Sequence, residues 1–214
     1  MDALVKPLGR PKKNATRDTR QAILMAALDM FSSQGYSATS MRQIAREVGV
    51  RESALYVHFK GKAEILETLF EVYGPGHAAV RLRKTDMSVF LADPQAFLLD
   101  FLHHELERWE LPEERKFLRI VVMENLCCTT YSDSALGLDN MQRPRKIFME
   151  MFGLLIKEKK IKTINLELLM YELMGPLLLL RHEQMLLGKG PVDMKKMRKF
   201  LNDHIEFIFS RLLI

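Results

Sequence analysis

The side chains best suited to bind a phosphodiester or read a base edge are concentrated between residues 39 and 62, TSMRQIAREVGVRESALYVHFKGK. Arg42 and Arg51 each carry a planar guanidinium fork of the kind that holds guanine O6 and N7 together. Glu52, Ser53 and His58 add acceptors and donors, Tyr56 offers a phenol to a phosphate oxygen, and Lys62 brings a point charge. Such groups read a duplex when an element carries them into a groove, so the surrounding pattern decides what they can do.

That pattern is two helices and a tight turn. Thr39 or Ser40 can cap the first helix, and Ser40 with Gln43 three residues on fits a capping box. Met41, Ile44, Ala45 and Val48 give it one apolar face. Gly49 suits a sharp turn that needs positive φ, and Val50 is placed to fill the angle behind it. The spacing predicts a second helical stretch over Arg51 to Phe59, with Leu55, Tyr56 and Phe59 inward. Arg51, Glu52, Ser53, Ala54, Val57 and His58 are then left for a groove. Upstream, Ile23, Leu24, Ala27, Leu28 and Phe31 recur at helical spacing until Gly35, which supplies a third helix for a shared core.

Residues 17 to 66 resemble the DNA-binding domain of the tetracycline-repressor (TetR) family, through the AAL..F helix, GY.ATS, IA...GV, LY.HF and K...IL. The resemblance covers about a quarter of the chain. It implies that Tyr56 and Lys62 touch the sugar-phosphate backbone and that Arg42, Glu52, Ser53, Ala54 and His58 face the groove. Ser40, at the entry to the first helix, is counted with Arg51 among the DNA-binding candidates. Arg51 stands where relatives often have a serine cap, and Val57 where an aromatic is frequent, so contacts at those two positions do not carry over. The resemblance also implies an effector site in a second domain and a four-helix dimer contact.

Charge follows the same division. Residues 1 to 62 hold 11 Lys and Arg against 5 Asp and Glu, while residues 63 to 214 hold 21 against 22. The basic footprint therefore coincides with the helix-turn-helix, as a phosphate-binding surface requires. Lys12, Lys13, Arg17 and Arg20 extend it, and Gly9-Arg10-Pro11 could lay an arginine in a minor groove or remain a solvated tail. No apolar run reaches the length of a membrane span, and the first residues lack a secretory signal, so a cytoplasmic protein is expected. Adjacent Cys127 and Cys128 exclude a disulfide framework; buried thiols are the ordinary reading, with redox or soft-metal sensing the alternative.

Three domains are expected: a flexible basic arm over 1–15, the helix-turn-helix over 16–62 and a helical body over 63–214. The helix from Lys62 should stop near Gly74-Pro75-Gly76, which reads as the hinge between head and body. Beyond it, helix starts are expected at Asp93-Pro94, Pro112, Pro144, Asn165 and Pro191 or Asp193, and no strand alternation stands out. The fold class is all-α, a three-helix head plus a larger bundle.

Ten of the 14 Met lie beyond residue 86 among aromatic residues. Met and Phe at helical spacing make an ordinary core, or wall an apolar cavity. For such an effector pocket the candidates are Phe101, Trp109, Met123, Phe148, Phe152, Met170, Met174 and Pro176, the last because it frees the Glu172 carbonyl and should kink its helix. His103-His104-Glu105 and His182-Glu183 lack metal-ligand spacing, and no catalytic or phosphate-cradling motif is present, so neither metal, cofactor nor enzyme activity is expected. The chain reads as a homodimeric regulator on a pseudo-palindromic duplex, a repressor released by a small, partly apolar effector and paired through its last two helices, about 166–187 and 192–213. Alternatives are an effector-independent architectural DNA-binding protein and an α-helical enzyme or apolar-ligand carrier.

Overall fold

Ser40 begins the reading unit as the pattern predicts. In the computed structural model, which describes residues 13–124, 138–187 and 193–213, Ser40 N-caps helix α2 (Met41–Val48). Its hydroxyl accepts from Gln43 N at 3.3 Å, and the Gln43 side chain accepts from Ser40 N at 2.7 Å. Thr39, the other candidate cap, is buried and donates to the Gly35 carbonyl at 2.8 Å. Gly49 closes α2 at φ 76°, where Gly49 N donates to Arg46 O and Val50 N to Ala45 O.

The chain divides into two units, Met1–Ile65 and Leu66–Ile214. In the first, α1 (Lys13–Gln34) starts two residues before the end of the stretch read as an arm. It buries Ile23, Leu24, Ala27, Leu28 and Phe31 with Ile44, Ala45, Leu55 and Phe59. The second helix of the reading pair is shorter than expected. α3 is Glu52–Leu55, and residues 56–58 form a turn in which His58 N and Phe59 N both donate to Leu55 O at 2.9 Å. Tyr56 consequently leaves the inward face it was assigned and stands 53% exposed, while Leu55 and Phe59 stay in the core.

α4 (Lys62–Tyr73) ends where the glycines and proline predict. The division between units nevertheless falls at Ile65, inside α4, and not at Gly74. Leu66, Leu69 and Phe70 are buried in the second unit, where Phe70 packs edge-on against Phe117 at 4.9 Å. A Cβ on Gly74 would lie 2.6 Å from the Phe70 carbonyl oxygen and 3.0 Å from the Phe117 ring. A side chain at Gly74 would therefore collide with both, and glycine permits the close packing. Gly74→Ala is expected to destabilise this unit by about 1–3 kcal/mol through overpacking, read as a lower midpoint for the fluorescence melt of the single tryptophan.

The second unit continues with α5 (Pro75–Arg83) and α6 (Met87–Ala92), two helices the proline and aspartate signals beyond residue 92 did not cover. α7 (Pro94–Arg108), α8 (Pro112–Met123), α10 (Leu166–His182) and α11 (Met194–Leu212) begin as expected, with Asp93, Asn165 and Asp193 accepting from backbone N–H groups in the first turn of α7, α10 and α11. α9 (Leu138–Lys157) does not start at Pro144, which lies inside it. A proline removes one helical hydrogen bond, and α9 continues across that loss. A five-residue π-turn, Glu183–Leu187, extends α10. The core is a run of aromatic contacts, Phe97 and Phe152 on Phe90, Phe148 on Phe101 and Phe209 on Phe152, inside a sleeve of Leu and Met. No helix among the described residues is long and apolar enough to cross a membrane. Cys127, Cys128, Lys12 and Gly9-Arg10-Pro11 lie outside the described residues.

Candidate nucleic-acid interface and body cavity

α2 places Met41, Ile44 and Ala45 under the surface and turns Arg42 and Arg46 outward on the same helix. Arg51, Glu52, Ser53 and Tyr56 are exposed beside them, and Ala54 and His58 are half-buried. Arg42, Arg46 and Arg51 make no ion pair among the described residues, so their guanidinium groups are not committed to neighbours. Arg46, in the last turn of α2, escaped the sequence reading, although its position one turn on from Arg42 was a signal. Ser40 is bound up in its capping box. Arg20, counted among the phosphate attractors, lies with its guanidinium 4.6 Å from the centroid of the Phe59 ring.

Lys62 has a task that spacing could not show. Its ammonium donates to the carbonyl oxygens of Tyr36 at 2.6 Å and Thr39 at 2.8 Å, and lies 4.1 Å from the centroid of the Tyr36 ring. It thereby ties the start of α4 to the turn that enters α2, while Glu64 accepts from Lys60 N beside it. Hydrogen bonds from a charged donor contribute about 1.5–3 kcal/mol. Lys62→Met should therefore raise amide exchange across α2 about tenfold or more in the absence of any nucleic acid. Unaltered exchange would mean the tether does not hold the turn.

The second unit holds a cavity of about 280 Å³, open to solvent on one side. Phe101, Trp109, Phe148, Met170 and Met174 are on its wall, with Pro75, Leu177 and Leu201. Three residues assigned to it are elsewhere. Met123 is 50% exposed at the end of α8, Phe152 is buried deeper in the core against Phe90 and Phe209, and Pro176 is off the wall between Gly175 and Leu177, which are on it. Successive helical residues point about 100° apart, so one neighbour can line a cavity that the next one misses. A second hollow of about 540 Å³, between Arg83 of α5 and Lys146 of α9, has an exposed charged rim.

The cavity wall also carries charge. Glu114, 2% exposed, accepts from Arg108 Nη2 at 2.6 Å and from Arg181 Nη2 at 2.9 Å. The same Arg108 nitrogen donates to the Val72 carbonyl in the last turn of α4 at 2.6 Å. Burial pushes the Glu114 carboxyl up to about 7, against the pull of Arg181 and Arg108. Burial likewise pushes Arg181 down, opposed by Glu114 and Glu105. His77 is pushed down by burial and by Arg108, against the pull of Glu105, whose Oε1 is 3.6 Å from its Nδ1. Sequence reading missed this network because its partners are 67 residues apart. One signal was present: Glu114 shares the inner face of α8 with Phe117, Leu118 and Val121.

Comparison with known proteins bears on both units. Residues 23–69 match the family described as bacterial regulatory proteins, tetR family. The HTH-type transcriptional regulator AcrR of Shigella flexneri is 34% identical over 115 residues, 54% of this chain and 53% of that protein. The chain thus matches about half the length of this curated relative. Among solved structures, a TetR-family transcriptional regulator from Mesorhizobium loti MAFF303099 superposes with a TM-score of 0.66 at 19% identity, over 95% of this chain and all of that one. NalD, the secondary repressor of the MexAB-OprM multidrug efflux pump in Pseudomonas aeruginosa, gives 0.64 at 23% identity, over 94% and 98%. At such identities the likeness is one of fold, and it extends the all-α agreement through the second unit.

Proposed function

We propose that the chain, whose residues 23–69 match the tetR family of bacterial regulatory proteins, is a cytoplasmic homodimeric repressor of that family, released from its operator by a small, partly apolar molecule held in the body cavity. The observation that carries the DNA-binding half is the set of outward side chains on the capped helix pair: Arg42, Arg51, Glu52, Ser53 and Tyr56 stand exposed over a core of Ile44, Leu55 and Phe59. Tyr56 and Lys62 are assigned to phosphate, and Arg42, Glu52, Ser53, Ala54 and His58 to the groove. Arg51 adds either a base or a phosphate contact.

A single short helix reads few bases, so two heads about 34–36 Å apart are needed on a pseudo-palindromic site. Support for pairing comes from α10 and α11. Leu168, Tyr171, Leu178 and Leu179 on α10 are 40–63% exposed at helical spacing, and Phe200 and Phe207 on the adjacent α11 are 37% and 51% exposed. Exposed apolar side chains repeated along two neighbouring helices are what an interaction site needs.

The test begins with selection of an operator from random duplexes. Arg42→Ala should relax preference at one base position, at a cost of about 1–3 kcal/mol, whereas Tyr56→Phe should weaken all sequences alike. Salt-dependent binding with no selected site would instead indicate an architectural protein. For the effector half, α4 is the proposed connecting rod, since its first residue holds the entry to α2 and its last turn is held by Arg108. A thousandfold loss of operator affinity requires a coupling of about 4 kcal/mol, and linkage requires operator DNA to weaken effector binding by the same factor. Equal effector affinity with and without operator would refute the switch.

A further inference from the structure

Val57 is the most exposed large apolar side chain among the described residues, at 78%. It stands on the reading element itself, directly after Tyr56 and one helical turn after Ser53. The chain keeps winding helically through it: Tyr56 has φ −68° and ψ −14°, and the Leu55 carbonyl accepts from both His58 N and Phe59 N at 2.9 Å. Leu55 and Phe59, 0% and 1% exposed, fix the inward direction. At about 100° per residue, Val57 points about 180° away from the line midway between them, and Ser53 about 140° away. These two side chains form the outer crest of the element. Tyr56 and His58 stand on its two shoulders, each about 80° from the inward line.

An element that enters a groove brings its crest nearest the base edges, with a shoulder such as Tyr56 against a strand's backbone. A valine on that crest can neither donate nor accept a hydrogen bond. Set against guanine O6 and N7, adenine N7 and N6 or cytosine N4, it would take polar atoms out of water without pairing them. The C5-methyl of thymine is the one apolar group that a base pair presents in the major groove, and packing it against the Val57 methyls removes apolar surface of both from water. Contact and exclusion therefore favour the same base.

We infer that Val57 is a specificity-determining residue of the DNA-reading head and recognises the 5-methyl group of a thymine in each half-site. This rests on the proposed operator binding and names one base that the operator must contain.

The test uses the full-length protein and an operator selected from random duplexes. Each thymine in turn is replaced by deoxyuridine, which removes the methyl and leaves the pairing unchanged, and affinity is measured by fluorescence anisotropy. With the wild-type protein, one thymine per half-site should lose about fourfold in affinity on this exchange, the equivalent of one buried methyl group, and about 15-fold when both half-sites are changed together. Val57→Ala, whose side chain stops short of the base, should bind the thymine and deoxyuridine forms of that position within about twofold of each other, while the penalties at other thymines remain. The ratio compares two duplexes on one protein sample, so it does not depend on how much of the variant is folded. Absence of any thymine sensitive to its methyl, or a penalty that Val57→Ala leaves unchanged, would overturn the assignment. Failure to select any site from random duplexes would remove the proposed operator binding and this contact with it. A selected site in which Arg42→Ala relaxes one base position, but no thymine depends on Val57, would remove this contact alone.

Discussion

Glu114→Ala will destabilise the second unit by about 3–5 kcal/mol, because it removes the carboxylate that two largely buried guanidinium groups share. Arg108 and Arg181 are 19% and 14% exposed, and neither can reach solvent in place of the carboxylate it loses. Arg108 retains the Val72 carbonyl and Glu105 at 4.0 Å, so the greater loss falls on Arg181, which keeps the Trp109 ring and the more distant charge of Glu105. Urea unfolding followed through Trp109 measures it. A loss below about 1 kcal/mol would show that the network is solvated and contributes as a surface pair does.

The same carboxyl gives the unit a pH dependence of defined sign. Its folded pKa, about 7, is above the ordinary value of 4.5, so the folded state holds the proton more tightly than the unfolded chain. Between those two values the unfolded state ionises first, and this contribution to stability falls as pH rises from about 4.5 to about 7, then levels off. Glu114→Gln keeps an acceptor for the arginines and removes the titration. The difference in stability between wild type and Glu114→Gln should therefore change across this window, and a difference independent of pH would place the titration elsewhere.

On the proposed dimer, Leu168→Arg with Leu179→Arg is expected to give a monomer that has lost operator affinity by about 10²–10⁴-fold, the advantage that linkage gives a second binding event. Both positions are more than half exposed, so two arginines leave the protomer fold undisturbed while placing four like charges across an isologous contact. Sedimentation velocity gives the association state, and anisotropy on the selected operator gives the affinity. A double variant that stays dimeric would move the interface off α10. A monomer with full affinity would remove the two-head requirement.

What could be read without coordinates was whatever depends on near neighbours in the chain. The capping box of Ser40 and Gln43, the left-handed Gly49 and the starts of α7, α10 and α11 at Asp93, Asn165 and Asp193 are closed within four residues, so residue type and spacing define them. The core faces of α1 and α2 follow from helical periodicity in the same way. Gly74 ends α4 as its residue type predicts, but its close approach to Phe70 and Phe117 had no local signal. Errors came where a local signal has two outcomes. Pro144 was read as a helix start and lies inside α9. Tyr56 was read as inward because α3 was taken to run past Leu55.

The remaining decisions required the fold. Lys62 finds the Tyr36 and Thr39 carbonyls across more than 20 residues, and Glu114 finds Arg181 across 67. A long charged side chain can reach solvent, a carbonyl or a partner with similar backbone geometry, and the choice among them is made by which helix packs alongside. Cavity walls obey the same rule. Phe148 lines the space and Phe152 one turn away does not, because an empty volume is a property of several helices together and no single amphipathic pattern records where they fail to fill it.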